Sequence, residues 1–195
     1  MAPTIQSSDS LVPKIVLQTI SPCPPKHRGP LAKTLTTLEK KLFPSSEAFD
    51  YVLELKKPNI GVILAYASPS PPSPNPKSNP SDQNPKPPST PIPTPPAENL
   101  IGYLIFQRLK GVTWIHKLGV VERERRKGIG RRLVEALMWE VKRGGGRKVV
   151  LWVDEGREGA RALYRGVGFE EGGVVEGYYG VGRGAVKMEV EVEAE

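Results

Sequence analysis

The sequence predicts a mixed α/β fold, in which a central β-sheet of about seven strands packs against about four helices. Segments whose apolar residues alternate or run together, as in strands, are separated by segments in which they recur every three to four residues, as in helices. In chain order these are one strand, two helices, three strands, one helix, one strand, one helix and two strands. A chain of 195 residues is long enough for one domain of ordinary size.

The predicted domain covers residues 13–195. Its N-terminal part contains one strand and two helices. Residues 1–12 are polar and predicted to be flexible, whereas Lys14–Ile20 alternates as a first strand. Ser21–Gly29 contains several prolines and a glycine and is predicted to be a loop. A helix is predicted to begin at Pro30, because proline fits the first turn and leucines follow at helical spacing. These leucines are Leu31, Leu35, Leu38 and Leu42.

A second helix is predicted after Phe43 and Pro44, which end the first. Ser45 or Ser46 can accept the free N–H groups of its first turn. Its apolar face would consist of Phe49, Val52 and Leu53.

Residues 68–98 form a tract rich in proline, serine, asparagine and lysine, which holds 13 of the 21 prolines. It has few side chains for a core, so it is predicted to be disordered. The flanking segments, Gly61–Ala67 and 100–109, both resemble strands and would pair as a hairpin. The cost of closing a loop grows slowly with its length. The tract is therefore interpreted as an insertion within one domain; recognition by a proline-binding partner is the alternative.

The second half of the chain shows the clearest alternation of strands and helices. The predicted strands are Val112–Val121, Lys148–Val153, a short one that starts at Phe169, and Ala185–Val192. The predicted helices are Gly128–Arg143 and Glu158–Arg165, and Gly172–Gly184 is predicted to be mostly loop.

The charge and the cysteine content restrict the class of protein. A net charge of +7 and a pI of about 9.5 favour anionic partners such as phosphorylated cofactors, nucleic acid or a membrane face. The single cysteine, Cys23, excludes an internal disulfide and a cysteine-based zinc site, and no metal is expected. No apolar run of ~18 residues and no signal peptide are found. We therefore expect no membrane partner and a location in the cytoplasm, with the nucleus as an alternative.

A basic, glycine-containing turn joins a predicted strand to a predicted helix. Glycine lets the backbone turn tightly and approach a ligand closely, and the first N–H groups of a helix bind anions. Basic side chains in front of the helix add positive charge. The segment lacks the third glycine of a dinucleotide-binding turn and the Gly-Lys-Ser/Thr of a P-loop, so it predicts a different pyrophosphate site. Its residues are Arg125, Arg126, Lys127, Gly128, Ile129 and Gly130.

This turn resembles the R/Q-x-x-G-x-G/A signature of the Gcn5-related N-acetyltransferase (GNAT) family. Ala160–Phe169 is similar to that family's A-x-x-L-Y-x-x-x-G-F segment. The resemblance implies a mixed, mostly antiparallel sheet, splayed between its fourth and fifth strands, and acetyl-CoA as co-substrate. It further implies that Leu118, Gly119 and Val120 hold the pantetheine arm and that Tyr164 protonates the departing thiolate. Arg157 replaces the family's cofactor-binding Asn, and we retain it as a candidate cofactor contact.

Within the family, the chain looks most like the protein N-terminal (Nα) acetyltransferases, including the bacterial ribosomal-protein type. The resemblance implies that Leu42, Phe43 and Pro44 contact a peptide and that Tyr178 and Tyr179 bind its backbone. Trp114 and Trp152 occupy positions where such enzymes place a base, and we expect them to line the acceptor site. The implied reaction is attack by the α-amine of a peptide or protein on the thioester.

The residue that accepts the amine proton is the least defined part of the prediction. His116 would share a sheet face with Trp114 and Leu118, and its ordinary pKa suits a base near neutral pH. Glu98, Glu155 and a chain of water molecules are alternatives.

Two other functions remain open at this point, and a third is not expected. The residues predicted to bind acetyl-CoA also fit two other functions. One is acetylation of a small amine such as a polyamine, and the other is acyl-CoA binding without catalysis. Nucleic-acid binding by the basic cluster is not expected, because no aromatic residues are interleaved with it.

Overall fold

The computed structural model describes residues 15–67 and 99–193, which form one seven-stranded sheet flanked by helices. The strands are β1 (Ile15–Ile20), β2 (Ile60–Ala67), β3 (Leu100–Leu109), β4 (Val112–Val120), β5 (Lys148–Asp154), β6 (Glu170–Val175) and β7 (Ala185–Glu191). Their order across the sheet is β1-β2-β3-β4-β5-β7-β6. The predicted number, type and order of elements are confirmed. β6 extends to Val175, so the predicted loop after Gly172 begins later than expected.

In the described residues, four α-helices accompany the strands: α1 (Pro25–Leu42), α2 (Tyr51–Glu54), α3 (Ile129–Arg143) and α4 (Glu158–Arg165). The predicted start of α1 at Pro30 is wrong, because the helix begins five residues earlier and Pro30 lies inside it. Pro25 occupies the first helical position, where its missing N–H costs nothing. The predicted loop Ser21–Gly29 therefore ends at Pro24.

The second predicted helix has the wrong cap and the wrong buried face. A short 3-10 turn, Ser45–Glu47, precedes α2, and the carboxylate of Asp50 accepts the N–H of Leu53 at 3.0 Å. Tyr51 and Leu55 are buried, whereas Val52 and Leu53 are each more than half exposed. In so short a helix, apolar spacing could not show which face meets the sheet.

The hairpin predicted around the proline-rich tract is present. β2 and β3 pair antiparallel, and Tyr66 lies opposite Leu100 at its end. The tract 68–98, the segment 1–12 and the candidate base Glu98 lie outside the described residues.

One pair of neighbouring strands is parallel, and it separates part of the way along. β4 and β5 are hydrogen-bonded from Val112 and Lys148 to Ile115 and Leu151, but not beyond. β4 remains paired with β3 up to Val120, and β5 remains paired with β7 up to Asp154. All other neighbouring strands are antiparallel. The two strands therefore diverge toward their C-terminal ends, as the sequence resemblance implied.

The two faces of the sheet carry separate cores. On one face Leu133 and Leu137 of α3 pack with Tyr164 of α4. On the other face Leu35 of α1 packs with Tyr51 of α2. Among the described residues, no helix is both long and apolar enough to cross a membrane.

Candidate functional site

A cleft of about 680 Å³ lies where β4 and β5 separate. One wall is formed by the segment 43–49 after α1 and by β4, and the other by β5, α4 and the β6–β7 loop. The lining residues are Phe43, Ser46, Glu47, Ala48, Phe49, Trp114, Ile115, His116, Lys117, Leu118, Leu151, Trp152, Val153, Asp154, Arg157, Ala160, Leu163, Tyr164, Tyr178 and Tyr179. The fold thus brings together most of the predicted catalytic and acceptor residues in one place.

A β-bulge at His116 changes the direction of the β4 side chains inside this cleft. Ile115 pairs with Phe106 and Lys117 with Ile105, so His116 is one extra residue. Such a residue reverses the alternation of side chains beyond it. The prediction that His116 shares a face with Leu118 is therefore wrong: Leu118 packs into the core beneath α3, whereas His116 packs on Phe49 on the other face.

The environment of His116 keeps its imidazole neutral. The ring lies 5.7 Å from the ring of Phe49, and Nε2 is 3.1 Å from Oε1 of Gln107. Although the residue reaches the surface, partial burial lowers its pKa below the ordinary value, against the pull of the Glu54 carboxylate. A neutral imidazole can accept a proton near pH 7.

The glycine turn lies at the N-terminus of α3, as predicted. Gly128 has φ +75°, and no side chain of the described residues caps the helix there. The first helical hydrogen bond runs from Arg132 N–H to the Gly128 carbonyl at 3.0 Å, so the preceding N–H groups point outward from the helix end. A Cβ at Gly128 would meet no atom of residues 15–67 or 99–193 within 4 Å. Among the described residues, the turn therefore has open space at Gly128 beside the N–H groups of the helix end, which fits a pyrophosphate.

The basic residues before Gly128 have different roles. Arg126 and Lys127 are exposed, and Lys127 pairs with Glu124 at 3.0 Å. Arg125 donates its Nε–H to the Val120 carbonyl at 3.1 Å and so ties the turn to the end of β4. All three basic side chains are thus exposed beside the helix end, and Arg125 also links the turn to β4.

Gly130 and Gly119 are places of close packing. A Cβ at Gly130 would lie 2.6 Å from Cδ1 of Leu163 and 3.7 Å from Cδ2 of Leu118. A Cβ at Gly119 would lie 2.8 Å from the Tyr103 ring. Because Leu118 and Leu163 also line the cleft, the cleft adjoins the first turn of α3, which Ile129 begins.

Tyr164 is buried on α4 and lines the cleft. Its ring packs on Phe169, with 5.4 Å between the centroids, and no described residue forms a hydrogen bond with its hydroxyl. Burial, and then the neighbouring Tyr179, raise the pKa of Tyr164 well above its ordinary value. The phenol is therefore protonated at neutral pH and has its proton available for a ligand.

Aromatic rings form the part of the cleft away from α3. Trp152 stacks on Tyr178 at 5.6 Å between centroids, and Tyr178 meets Tyr179 edge-on at 4.9 Å. The Tyr179 hydroxyl donates to the Trp152 carbonyl at 3.1 Å. Trp114 and Phe43 also line the cleft. Of the predicted peptide-contacting residues, the structure does not bring Leu42 or Pro44 to it.

Arg157, retained as a candidate cofactor contact, is held by an acidic residue that the sequence did not single out. Its guanidinium lies 2.8 Å from the Glu47 carboxylate. Glu47 also lies 2.8 Å from Arg183, which is ion-paired with Asp154 as well. Although burial opposes it, hydrogen bonds from the Gly156 N–H and Arg183 hold the pKa of Asp154 below its ordinary value. These four residues, here called the clasp (Glu47, Asp154, Arg157 and Arg183), link three segments around the cleft.

An ion pair between Lys117 and Glu39, which the sequence analysis did not predict, anchors the segment 43–49 to β4. Lys117 Nζ lies 2.9 Å from Glu39 Oε1 and 4.4 Å from the centre of the Phe43 ring, and it donates to the Glu47 carbonyl. Glu39 also accepts the Phe49 N–H at 3.2 Å. No local pattern pointed to Lys117 or Glu39, because each is an ordinary charged residue of its own element.

Metal binding finds no support in the described residues: residues 15–67 and 99–193 hold no cluster of His, Cys, Asp and Glu with the arrangement of a metal site.

Solved structures of other proteins share this fold. The structure is similar to the ribosomal-protein-S18-alanine N-acetyltransferase from Escherichia coli, with a TM-score of 0.64 and 16% identity over 93% of this chain and 96% of that chain. For Arabidopsis thaliana NAA60 in complex with acetyl-CoA, the TM-score is 0.59 at 17% identity over 92% and 99%. For an aminoglycoside 6'-N-acetyltransferase complexed with coenzyme A, it is 0.63 at 18% identity over 92% and 98%. At such identities the similarity shows a shared fold.

The family of the protein follows from a comparison of its sequence. No curated protein sequence matches the chain significantly. A sequence model described as the acetyltransferase (GNAT) family, however, matches residues 60–169, which run from the start of β2 to the residue before β6. That match covers more than half of the chain and includes the glycine turn, both diverging strands and Tyr164, so this protein belongs to the acetyltransferase (GNAT) family.

Proposed function

We propose that this protein transfers the acetyl group of acetyl-CoA to the α-amino group of a peptide or protein, with both substrates bound together. One observation carries the proposal: a single cleft joins two unlike ends. At one end Leu118 and Leu163 adjoin the open first turn of α3. At the other, the cleft has an aromatic wall that includes Tyr178 and Tyr179.

The first turn of α3 fits the donor. Its uncapped N–H groups and the helix dipole attract a pyrophosphate, and Gly128 leaves room for it. Arg126 and Lys127 add positive charge at the surface. The similar folds of proteins crystallised with acetyl-CoA or coenzyme A support the same donor.

The reaction needs one bond made and one broken. The neutral amine attacks the thioester carbonyl carbon, a C–N bond forms, and the C–S bond breaks to release the thiolate. The amine nitrogen loses a proton and the sulfur gains one. The Tyr164 hydroxyl, kept protonated by burial, is the group proposed to give the sulfur its proton.

His116 is the group proposed to receive the amine proton, directly or through water. Its lowered pKa leaves it neutral at pH 7, and it lines the same cleft as Tyr164. The indole rings of Trp114 and Trp152 cannot accept a proton. Of the described lining residues, His116 is therefore the titratable group best suited to this step.

The pairing of the charges favours a peptide over a polycationic small amine. A polyamine or an aminoglycoside brings several positive charges, which need free carboxylates. The two carboxylates that line the described cleft, Glu47 and Asp154, are already paired with arginines. The related folds include both kinds of enzyme, so this local charge balance is what supports the peptide acceptor.

Two measurements test the proposal. Calorimetric titration with acetyl-CoA is expected to show binding at micromolar concentrations. Release of coenzyme A is then expected with short peptides that have a free α-amine, and not with the same peptides after chemical N-acetylation. No binding of acetyl-CoA would overturn the donor assignment. Turnover with a polyamine or an aminoglycoside, but with no peptide, would overturn the acceptor assignment.

A further inference from the structure

The charged groups around the acceptor part of the cleft neutralise one another. Three cationic side chains, Lys117, Arg157 and Arg183, face three carboxylates. Lys117 pairs with Glu39, Arg157 with Glu47, and Arg183 with both Glu47 and Asp154. Within the described residues, this part of the cleft therefore offers a bound side chain no unpaired charge of either sign.

The surface that remains for contact is aromatic. The rings belong to Phe43, Phe49, Trp114, Trp152, Tyr178 and Tyr179. Tyr178 is 54% exposed although it stacks on Trp152, so one face of this wall is open to a ligand. Lys117 and Arg157 each also contact the Phe43 ring, at 4.4 Å and 5.2 Å from its centre.

We infer that the acceptor residue carrying the reactive amine has an uncharged, apolar side chain, such as leucine, methionine or phenylalanine. This inference rests on the proposed function and names its substrate class. A charged side chain entering the cleft would lose its hydration and meet only ions that are already paired. An apolar side chain would instead cover aromatic surface and release water.

The size of the preference follows from the same argument. Pockets that distinguish apolar side chains by one methylene reach ~10-fold to 200-fold in kcat/KM. Leucine against aspartate is a larger difference, because it adds the lost hydration of a charge. We expect a peptide that begins with leucine to exceed one that begins with aspartate or lysine by on the order of a hundredfold.

A peptide panel tests this with the unmodified protein. Six-residue peptides share residues two to six and begin with leucine, methionine, phenylalanine, serine, aspartate or lysine. The expected order of kcat/KM is apolar, then serine, then charged. Equal or faster turnover of an aspartate or lysine peptide would overturn this inference alone. Turnover of small amines with no peptide acetylated would overturn the proposed function, and this inference with it.

The variant Glu47→Gln tests the charge balance itself. It removes the carboxylate between Arg157 and Arg183, so positive charge is no longer compensated. The ratio of kcat/KM for the aspartate peptide to that for the leucine peptide is expected to rise about tenfold, since a favourable pairing of ~1.4 kcal/mol is tenfold. Glu158→Gln is the matched control, because Glu158 pairs with Arg161 and Arg165 elsewhere on α4.

A ratio of two substrates does not depend on the fraction of active protein. A partly unfolded variant therefore still reports on the charge balance. An unchanged ratio in Glu47→Gln, or an equal rise in Glu158→Gln, would overturn the inference.

Discussion

The carboxylate of Glu47 lies 2.8 Å from the guanidinium of Arg157 and thereby joins the segment after α1 to the start of α4. Glu47 is held from a third direction by Arg183, in the loop before β7. The clasp therefore fixes the segment that forms one wall of the acceptor cleft, while the donor end beside α3 lies outside it.

Breaking the ion pair between Glu47 and Arg157 is expected to weaken binding of the peptide acceptor and to leave binding of acetyl-CoA unchanged. Arg157→Met keeps an aliphatic chain of similar length but removes the guanidinium. Arg157 is about one-third exposed, and Glu47 keeps its second partner Arg183, so losing this ion pair should cost about 1 kcal/mol and raise the KM for a peptide roughly fivefold. The KM for acetyl-CoA should stay within about twofold. Steady-state kinetics with each substrate varied in turn would measure both.

Arg165→Gln is the control for that variant, because Arg165 is another ion-paired arginine of α4 outside the cleft. It should change neither KM. If Arg157→Met raised the KM for acetyl-CoA as much as that for the peptide, a cofactor contact by Arg157 would explain it better than the clasp.

Removing the hydroxyl of Tyr164 is expected to slow catalysis without unfolding the protein. Tyr164→Phe keeps the ring on Phe169 and leaves no described hydrogen-bond partner unsatisfied. Loss of a general acid lowers turnover by ~100-fold or more, so kcat should fall by that factor and Tm should hardly change. Tyr66→Phe, another buried tyrosine, should leave kcat unaltered. Unchanged turnover in Tyr164→Phe would remove the proposed proton donor.

Gly128 and Gly111 offer a matched pair for the donor turn. Both have positive φ, +75° and +85°, and a Cβ at either position would meet no atom within 4 Å in the part of the chain that the structure describes. Alanine at each should lower the free energy of unfolding by about 1 kcal/mol through backbone strain. Only Gly128→Ala should weaken acetyl-CoA binding, by on the order of tenfold, since its methyl group enters the space before the helix.

Calorimetry for binding and chemical denaturation for stability would separate these two effects. Equal loss of acetyl-CoA affinity in Gly111→Ala, which lies in the β3–β4 turn, would mean that strain rather than the cradle is responsible.

The pH dependence should report the proposed base. The pKa of His116 is lowered from 6.5, so the imidazole stays neutral through neutral pH. We therefore expect kcat to fall only as the pH drops below 6.5 toward the lowered pKa. His116→Gln should reduce kcat by ~100-fold and remove this acidic limb. His27→Gln, the change of an exposed histidine on α1, should preserve the full profile. An acidic limb that persists in His116→Gln would assign it to another group.

The same shift affects stability with a defined sign. The unfolded chain takes up a proton at His116 near pH 6.5, whereas the folded protein resists it to a lower pH. The contribution of His116 to stability is thus present above pH 6.5 and is lost as the pH falls toward the lower folded pKa. In His116→Gln this part of the pH dependence should disappear.

Local sequence patterns were sufficient to predict the helices and strands, but not all of their first and last residues. α4 was predicted at its observed bounds, because its start, its apolar residues and the following glycine are all local signals. The start of α1 was misplaced, because Pro25 and Pro30 both fit a first helical turn and only packing selects between them. The bulge at His116 has no local signature either, since it depends on how β4 aligns with β3.

By itself, the sequence determined the order of strands and helices, the glycine turn at the start of α3 and the place of Tyr164 on α4. These features depend on residues close together in the chain, whose spacing fixes the local conformation. Only the tertiary structure decided which charged residues surround the acceptor part of the cleft. Glu47, Asp154 and Arg183 meet there from segments up to 136 residues apart, and their charges cancel only once the fold has brought them within hydrogen-bonding distance.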